Sequence, residues 1–381
     1  MKIEQKKWTK ETGWQPISKE VLATAPQLVL VFGASALVRE QNIFDDVKKQ
    51  YPESHIVMMS TAGEILDTSV TDGSLSLTAI FFEKTTLAFA QADIQNTADS
   101  KTVGESLAKS LPTEGLVHAM VFSDGLKVNG TALVEGMTGV LPESVALTGG
   151  LVGDGADFKH TYVGLDAVPS EGKIVAIGLY GASLKVSYGS MGGWDPFGPQ
   201  RIITKATDNV LYELDGKPAL DVYKEYLGDK AKELPGSGLL FPLSLGLPNK
   251  QGEDVQVVRT ILAVNEADKS MTFAGSMPEG VKAQLMKANF DRLVSGASGA
   301  AAMIKETKAE AQLAVLISCV GRKLVLKERI EEETEAIREV FGPDTALTGF
   351  YSYGEISPMT PTKNQCELHN QTMTITTFAE V

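Results

Sequence analysis

A repeat at an offset of 90 residues constrains the fold of this chain more than any other sequence feature. One set of residues recurs without a gap: Val31, Phe32, Pro52, Glu53, Ser54 and Gly63 return as Val121, Phe122, Pro142, Glu143, Ser144 and Gly153. A third copy near the end of the chain keeps the mutual spacing of Pro52, Glu53, Ser54, Gly63 and Glu64 in Pro343, Asp344, Thr345, Gly354 and Glu355. Internal repetition of this kind predicts a fold built by duplicating one unit.

Each copy alternates short apolar runs with a helix-compatible stretch. The first runs have the length and composition of strands buried on both faces of a sheet, at residues 28–32, 119–122 and 313–317. In the third copy, residues 327–341 place apolar side chains at helical spacing, and Pro343 ends that helix. Second apolar runs lead into glycine-bearing turns, at residues 55–59, 145–148 and 346–348. A further strand closes each unit, at residues 74–82, 173–180 and 371–378.

This order of elements predicts an α/β fold with two domains and mixed sheets built from repeated strand-helix-strand-strand units. Ligands of such sheets bind beyond the carboxyl ends of the strands, so the turn after each second strand is a candidate site. An acidic residue follows a glycine in all three turns, as Glu64, Asp154 and Glu355. The acid either contacts a ligand or caps the turn, while the glycine supplies a backbone angle.

Composition argues against several classes of function. The chain has 381 residues, of which 43% are apolar, and a formal net charge of −13. These values indicate about two domains with apolar cores, and they disfavour nucleic acid as a partner. The sequence lacks a signal-peptide core and any run near the ~20 apolar residues of a membrane span, so we expect a cytoplasmic protein without a membrane partner. Its two cysteines, Cys319 and Cys366, form no CxxC motif and support neither a zinc cluster nor a disulfide framework.

A different region separates the second and third copies. Residues 190–199 predict a Gly/Pro-rich turn around Trp194, and the sequence DGKP at 215–218 predicts a turn into a helix at 219–227. Strands and turns are predicted at residues 239–248, 257–265 and 270–280, and a helix at 282–305. We place the domain junction at the DGKP turn, so that the domains comprise residues 20–215 and 216–381.

Several segments, in sequence order, resemble the FIST family, with its N domain followed by its C domain. The segments are GGLVGDGADFKHTYV (149–163), GGWDPFGP (192–199), LDGKPALDVYKEYLG (214–228), FPLSLGL (241–247), VRTILAVN (258–265), SCVGRK (318–323), GFYSYGEISP (349–358) and ELHNQTMT (367–374). The resemblance implies a free-standing bacterial or archaeal sensory protein that binds a small ligand, amino acids being the class first proposed. It also implies signalling to a histidine kinase, a cyclic-di-nucleotide enzyme or a chemotaxis receptor.

Resemblance to a subset of the family implies an alternative function, that of a haem protein that senses nitric oxide and regulates a histidine kinase. Haem needs an axial ligand, and a neutral imidazole is a suitable one. The chain has four histidines, of which His160 and His369 lie in segments that resemble the family, and we rank His369 above His160. His55 and His118 begin strands. The competing interpretation of His369 is a hydrogen bond between a loop and Glu355 or Asn370.

An organic ligand is the favoured interpretation of the third copy. The segment FYSYGE brings together aromatic rings and an acid that could pair with an amine, and Arg322 could meet a carboxylate at the same end of the sheet. The loop GGLVGDG of the second copy could offer backbone N–H groups to an anion. The predicted ligand-binding residues are therefore Arg322, Tyr351, Tyr353, Glu355, Asn370, Gly150 and Asp154. The alternative is that Arg322 and Glu355 pair only with each other.

Two further classes of function need consideration. Cys319 with His369 and either Glu355 or Asn370 could form a thiol-imidazole pair, but a cysteine at a strand end is more often a small buried apolar residue. The sequence contains no HExxH, GxSxG or kinase signature, so we do not expect an enzyme. A purely scaffolding role is the other class. A sensor without a transmitter of its own requires a partner protein, and the charged helix face at 327–338 is a candidate docking surface.

Overall fold

Three six-stranded sheets and one eight-stranded sheet organise the part of the chain that the structure describes. This structure is a computed structural model, and it describes residues 1–18, 21–234, 236–248, 254–306, 310–360 and 363–381. The first thirteen strands are β1 Lys2–Thr9, β2 Gly13–Pro16, β3 Leu28–Gly33, β4 His55–Ser60, β5 Glu64–Leu66, β6 Ser69–Thr71, β7 Leu75–Phe81, β8 Thr86–Asp93, β9 Leu116–Ser123, β10 Ala146–Leu151, β11 Val163–Leu165, β12 Lys173–Tyr180 and β13 Leu184–Met191.

The remaining strands and the helices complete the described elements. The strands are β14 Trp194–Thr207, β15 Val210–Leu214, β16 Lys217–Pro218, β17 Leu243–Pro248, β18 Asp254–Arg259, β19 Ile261–Asn265, β20 Ser270–Phe273, β21 Lys282–Ala288, β22 Leu313–Cys319, β23 Ala346–Ser352, β24 Gly354–Thr360, β25 Lys363–His369 and β26 Met373–Glu380. The helices are α1 Ser35–Val38, α2 Gln41–Gln50, α3 Ser100–Lys109, α4 Gly130–Thr138, α5 Ala219–Leu227, α6 Phe290–Lys305, α7 Val320–Leu326 and α8 Glu331–Phe341. None of them is long and apolar enough to cross a membrane, as far as the chain is described.

The sequence repeat corresponds to three copies of one sheet unit. In each copy the first two strands pair in parallel, as β3 with β4, β9 with β10 and β22 with β23. The closing strand pairs with the first strand in the antiparallel sense, as β7, β12 and β26. The predicted mixed α/β fold is therefore confirmed. The helix predicted at 327–341 is also present, as a 3₁₀ turn at Lys327–Arg329 followed by α8.

The three units exchange strands in a cycle. Strand β5 of the first unit pairs with β23 of the third, β24 of the third pairs with β10 of the second, and β11 of the second pairs with β4 of the first. Each donated strand comes shortly after the glycine turn that ends the second strand of its own unit. The units thus form a closed ring with approximate threefold symmetry, and the glycine turns lie at the contacts between neighbouring units.

Aromatic rings fill the centre of this ring of units. Phe32 and Phe122 occupy equivalent positions in β3 and β9, and Phe350 reaches between them from β23. The ring centroid of Phe350 lies 5.1 Å from that of Phe32 and 6.2 Å from that of Phe122. At the position equivalent to Phe350, the second unit has Gly150, where an added Cβ would stand 2.9 Å from Ile317 Cγ2. Gly150 makes room in this core, and its predicted contact with a ligand stays a prediction.

An inserted eight-stranded sheet, formed by β14 to β21, stands beside the ring of units. Two sequence predictions are wrong here. The segment 190–199 is not only a turn, because β14 begins at Trp194. The predicted helix at 282–305 begins as β21, in which Ala283 and Leu285 alternate into the core of the inserted sheet, and helix α6 begins only after the Asn289 cap. Helix α5 at Ala219–Leu227 agrees with its prediction.

The two halves of the chain interlock. Strand β13, which precedes the inserted sheet, pairs along its whole length with β26 at the end of the chain. Strands β24 and β25 of the third unit extend the sheet of the second unit. The boundary that we predicted at residues 215 and 216 falls between β15 and β16, inside the inserted sheet.

Candidate functional site

Two of the three acidic turn residues are buried caps. Glu355 accepts hydrogen bonds from the Ser352 hydroxyl at 2.7 Å and from the N–H and hydroxyl of Thr372 at 3.2 and 2.9 Å. Glu64 makes the equivalent contacts with Thr61 and Ser74, the hydroxyls lying at 2.7 and 2.8 Å. Both carboxyls are at most 1% exposed. The turn-capping interpretation therefore describes both carboxyls, and the buried Glu355 side chain has no exposed surface for the predicted contact with a ligand.

Burial dominates the titration of these two carboxyls. It raises the pKa of Glu64 to about 7 and that of Glu355 to about 8, although the hydroxyl donors oppose the shift. A carboxyl with a raised folded-state pKa stabilises the protein fully below its unfolded pKa, and this contribution is lost as the pH rises through the folded value.

As the pH rises from about 5 to about 8, we therefore expect the free energy of unfolding of the natural protein to fall relative to that of the Glu355→Gln variant. The glutamine side chain of the variant stays neutral. Urea titrations at both pH values measure the difference. Glu11→Gln, at an exposed position, should keep the natural pH profile. A Glu355→Gln profile parallel to that of the natural protein would contradict the burial of a protonated carboxyl.

The second unit departs from this pattern. Leu151 stands three residues before Asp154, as Thr61 and Ser352 stand three residues before Glu64 and Glu355, and it has no hydroxyl that could hold a buried acid. Asp154 is instead half-buried, and its carboxylate accepts the backbone N–H groups of Phe158, Lys159 and His160 at 3.0, 2.9 and 2.8 Å. These contacts shape a loop at residues 155–162 that precedes β11. The first and third units have no equivalent loop.

Tyr353 of the third unit anchors this loop. Its hydroxyl donates to the Asp154 carboxylate and accepts the N–H groups of Asp154 and Phe158 at 3.2 and 3.3 Å. Its ring stacks on that of Phe158, with centroids 4.4 Å apart and planes inclined by 15°. Burial and the hydrogen bond to Asp154 raise the pKa of Tyr353, so the phenol stays protonated. The structure thus brings together Tyr353 and Asp154, two of the residues predicted from sequence.

A cleft opens between this loop and the inserted sheet. We call it the Tyr353 cleft; its volume is about 690 Å³, and it is lined by Thr97, Ala98, Gly125, Leu126, Val128, Asn129, Ala132, Leu151, Phe158, Asp208, Asn209, Leu262, Thr272, Phe273, Ala274 and Tyr353. A neighbouring apolar cavity of about 460 Å³ shares Phe158 and Leu262 with it. Cavities of this size accept drug-sized ligands, and they occur preferentially between structural parts. Phe158 and Leu262 were not predicted from sequence, because their roles depend on contacts between distant segments.

A separate pocket is lined by residues on both sides of the turn between β25 and β26. We call it the His369 pocket; its volume is about 370 Å³, and it is lined by Ser190, Met191, Gly192, Gly193, Trp194, Pro196, Gln200, Ser244, Val255, Gln256, Val258, Gln284, Met286, His369 and Thr372. Four of the segments on which the family resemblance rests meet here: GGWDPFGP, FPLSLGL, VRTILAVN and ELHNQTMT. The described residues that line the pocket include no charged side chain.

Arg322 lies in the protein interior. Its guanidinium pairs with Glu333 at 2.7 Å, both side chains being 0% exposed. It also donates to the carbonyls of Gly192, Leu293 and Gln371 at 2.8, 2.7 and 3.5 Å. These acceptors match the five N–H donors of an arginine. Arg322 therefore stabilises the interior rather than facing a ligand carboxylate, and its acidic partner is Glu333 instead of Glu355.

Two other predicted ligand-binding residues are also buried. The Tyr351 hydroxyl donates to Glu333 at 3.2 Å, which places it in the same interior network as Arg322. Asn370 is 0% exposed; its Oδ1 accepts the Thr260 N–H at 3.4 Å, and its Nδ2 has no partner within the described residues. The structure therefore separates the predicted set: Tyr353 and Asp154 meet at a cleft, whereas Gly150, Arg322, Tyr351, Glu355 and Asn370 lie inside the protein.

The residues present do not fit haem. The His369 Nε2 donates to the Ser357 carbonyl at 3.0 Å, which leaves Nδ1, the nitrogen closest to the main chain, as the available ligand atom. The His369 pocket lies at the small end of the size range of drug-sized sites, and it offers haem propionates no cation. In the described part of the chain, no group of three His, Cys, Asp or Glu side chains is placed to hold a metal ion.

The other histidines have protein partners. His160 pairs with Glu171 and His55 with Asp166, both at 2.7 Å and both at the surface. His118 is fully buried, its Nε2 lies 2.8 Å from the Thr148 hydroxyl, and burial lowers its pKa to about 3. None of these three rings lines the cleft or the pocket described above.

Cys319 is a poor nucleophile in this structure. The side chain is 1% exposed, and burial raises the pKa of its thiol far above the neutral range. The reactive form of a cysteine is the thiolate, which such an environment suppresses. The geometry therefore gives no support to a thiol-imidazole pair at this position.

Fold and cleft together define an α/β protein with a ligand-sized cavity at the junction of two structural parts. The comparison with family models is specific: residues 27–217 match the FIST N domain and residues 219–358 match the FIST C domain. The chain therefore belongs to the FIST family, whose domains are sensory domains of signal transduction.

Individual relatives add little to this assignment. An uncharacterised protein of Methanocaldococcus jannaschii, MJ1623, is 22% identical over 344 residues, which are 82% of this chain and 64% of that protein. The chain thus spans less than two thirds of that relative. A cyanuric acid hydrolase from A. caulinodans aligns with a TM-score of 0.33 at 9% identity, covering 94% of this chain and 91% of that one. A second cyanuric acid hydrolase structure aligns with the same TM-score at 8% identity and 99% coverage of both chains. Likeness at this level carries no argument about fold or activity.

Proposed function

We propose that this protein is a small-ligand sensory protein and that its ligand binds in the Tyr353 cleft. The observation that carries the proposal is the broken symmetry of the ring. The glycine turns of the first and third units are sealed by buried Glu64 and Glu355. The glycine turn of the second unit opens instead, through Asp154 and its loop, onto a cleft of about 690 Å³. Because the turn of the second unit departs from the repeated structure where a cavity lies, we assign it a role that the other two turns do not have.

The lining of the cleft supports one ligand class. Its inner wall is apolar and aromatic, from Leu126, Leu151, Phe158, Phe273 and Tyr353, and would accept an apolar body. Asp208 is the charged side chain among the described lining residues, and no lysine or arginine lines the cleft there. The ligand in this proposal has an apolar body and an amine head, a class that includes apolar amino acids and the amines derived from them.

The position of the cleft supports a route for the signal. A ligand in it contacts the ring of units through Phe158 and the inserted sheet through Leu262, so occupancy favours one arrangement of the two parts over another. A partner signalling protein would read that arrangement. A histidine kinase, a cyclic-di-nucleotide enzyme or a chemotaxis receptor is the kind of partner that membership of this family supports.

Titration calorimetry with phenylalanine and phenethylamine tests the ligand site. We expect phenethylamine to bind more tightly, since the cleft offers an amine a carboxylate but offers a carboxylate no cation. Leu262→Ser, at the mouth of the cleft, should raise the Kd of phenethylamine about tenfold or more through the loss of apolar contact. Leu262 is 41% exposed, so the variant should fold.

Ile17→Ser provides the matched control, because Ile17 is 45% exposed and does not line the cleft. Its Kd should equal that of the natural protein. Binding of neither compound, or an equal Kd in the Leu262→Ser variant, would remove the support for this cleft as the sensory site. Hydrogen exchange at residues 155–162 and in β19 should slow on binding, since the ligand bridges both segments.

A further inference from the structure

The His369 pocket has a hydrogen-bonding capacity that the protein does not satisfy. His369 donates its Nε2–H to Ser357, so the neutral ring presents Nδ1 as an acceptor without a partner among the described residues. Burial lowers the pKa of His369 to about 4, which keeps the ring neutral at physiological pH. The Ser190 hydroxyl is buried without any partner in the described part of the chain. Buried polar groups are normally paired, so the unpartnered Ser190 hydroxyl requires an explanation.

Two side-chain amides add further hydrogen-bonding groups to the pocket. Gln256 accepts the Ser244 hydroxyl at 2.7 Å through its Oε1, which leaves its NH₂ group as a donor. Gln284 donates its NH₂ group to the Gly198 carbonyl at 2.7 Å, which leaves its Oε1 as an acceptor. The pocket therefore offers both donors and acceptors from these two side chains. A ligand that satisfies them must itself carry donors and acceptors close together.

The rest of the lining restricts the charge and the shape of that ligand. Trp194, held by a hydrogen bond from its Nε1 to the Gln371 carbonyl at 2.9 Å, forms a wall together with Met191 and Met286. Aromatic and thioether side chains suit a flat apolar face. Since the described lining residues are all uncharged, an ionic ligand would lose its hydration without gaining a counter-ion.

We propose that the His369 pocket binds an uncharged planar heterocycle whose edge carries both hydrogen-bond donors and acceptors, in the manner of a cyclic amide or a nucleobase. The heterocycle donates to His369 Nδ1 and exchanges hydrogen bonds with Ser190, Gln256 and Gln284, while its face lies against Trp194. A volume of about 370 Å³ accommodates one or two fused rings. This site shares no lining residue with the Tyr353 cleft, so the inference goes beyond the proposed function and does not depend on it.

Titration calorimetry of the full chain with uracil, hypoxanthine and orotate tests the proposal. Uracil and hypoxanthine are uncharged at neutral pH, whereas orotate is a uracil with an added carboxylate. We expect at least one of the two uncharged compounds to bind, and orotate to bind at least about tenfold more weakly than uracil because its charge finds no partner. Binding of neither uncharged compound, or equal affinity for orotate and uracil, would overturn the proposal.

Two variants locate the bound compound. His369→Gln keeps a donor for the Ser357 carbonyl but removes the Nδ1 acceptor, and it should weaken binding about tenfold. Ser190→Ala removes a hydroxyl that has no protein partner, so it should fold normally and weaken binding severalfold. His55→Gln, the same substitution at a surface histidine, should leave the affinity unchanged. Unchanged affinity in Ser190→Ala and in a folded His369→Gln would place the compound elsewhere and refute this site. Neither result bears on phenethylamine binding in the Tyr353 cleft.

Discussion

Arg322→Ala is expected to lower the free energy of unfolding by about 3–5 kcal/mol, the usual cost of removing one partner of a buried ion pair. The substitution leaves the Glu333 carboxylate buried, and its remaining donors among the described residues are the hydroxyls of Ser318 and Tyr351, each at 3.2 Å. It also removes the donors to the carbonyls of Gly192 and Leu293. The loss should appear as a lower urea midpoint, or as failure to accumulate in soluble form.

An exposed ion pair provides the control for this result. Lys232 and Asp229 pair at 2.9 Å with side chains that are 81% and 97% exposed, so Lys232→Ala should leave the urea midpoint unchanged. The sequence placed Arg322 among the ligand-binding residues, a role in which Arg322→Ala would leave the protein folded. A variant of undiminished stability would favour that interpretation over the structural role described above.

Phe350→Ala is expected to destabilise the protein by a similar amount, about 3–5 kcal/mol, because it opens a cavity where the three units meet. Phe350 is 0% exposed, and its ring contacts Phe32 of the first unit and Phe122 of the second. Relaxation is restricted, since Gly150 supplies no side chain that could fill the space. The thermal unfolding midpoint and the urea midpoint should both fall.

Phe290→Ala removes the same side chain from the surface, where Phe290 is 45% exposed, and should have a much smaller effect. The comparison separates the loss of a central contact from the loss of a phenylalanine in general. Equal destabilisation by the two substitutions would argue against a shared core at the centre of the ring.

Local patterns in the sequence predicted most elements correctly. The 90-residue repeat, the apolar runs and the charged helix near the end correspond to three sheet units and to α8. The error at residues 282–289 has a physical cause. The segment KAQLMKA combines residues of good helix propensity, and its assignment as a strand depends on pairing with β14 and β17, which a single segment does not reveal.

The candidate site was predicted only in part. Tyr353 and Asp154 were identified because they stand in glycine turns that recur in every copy, and the structure joins them across 199 positions of sequence. Arg322 and Glu355 were expected to meet because both follow strands of the third unit. Glu333 was overlooked as the partner of Arg322, because a glutamate in a helix of mixed charge looks like a solvent-exposed residue until the fold buries it.

The repeat, the order of strands and helices and the family resemblance could all be obtained from the sequence, because each depends on residues that are close along the chain or on spacing that recurs. The exchange of β5, β11 and β24 between units could not, because three similar turns allow several ways of pairing the strands that follow them. That exchange buries Glu64 and Glu355, and the loop of the second unit stays open above Tyr353. The cleft and the pocket are therefore products of long-range packing, in which free energy depends on contacts between segments far apart in sequence.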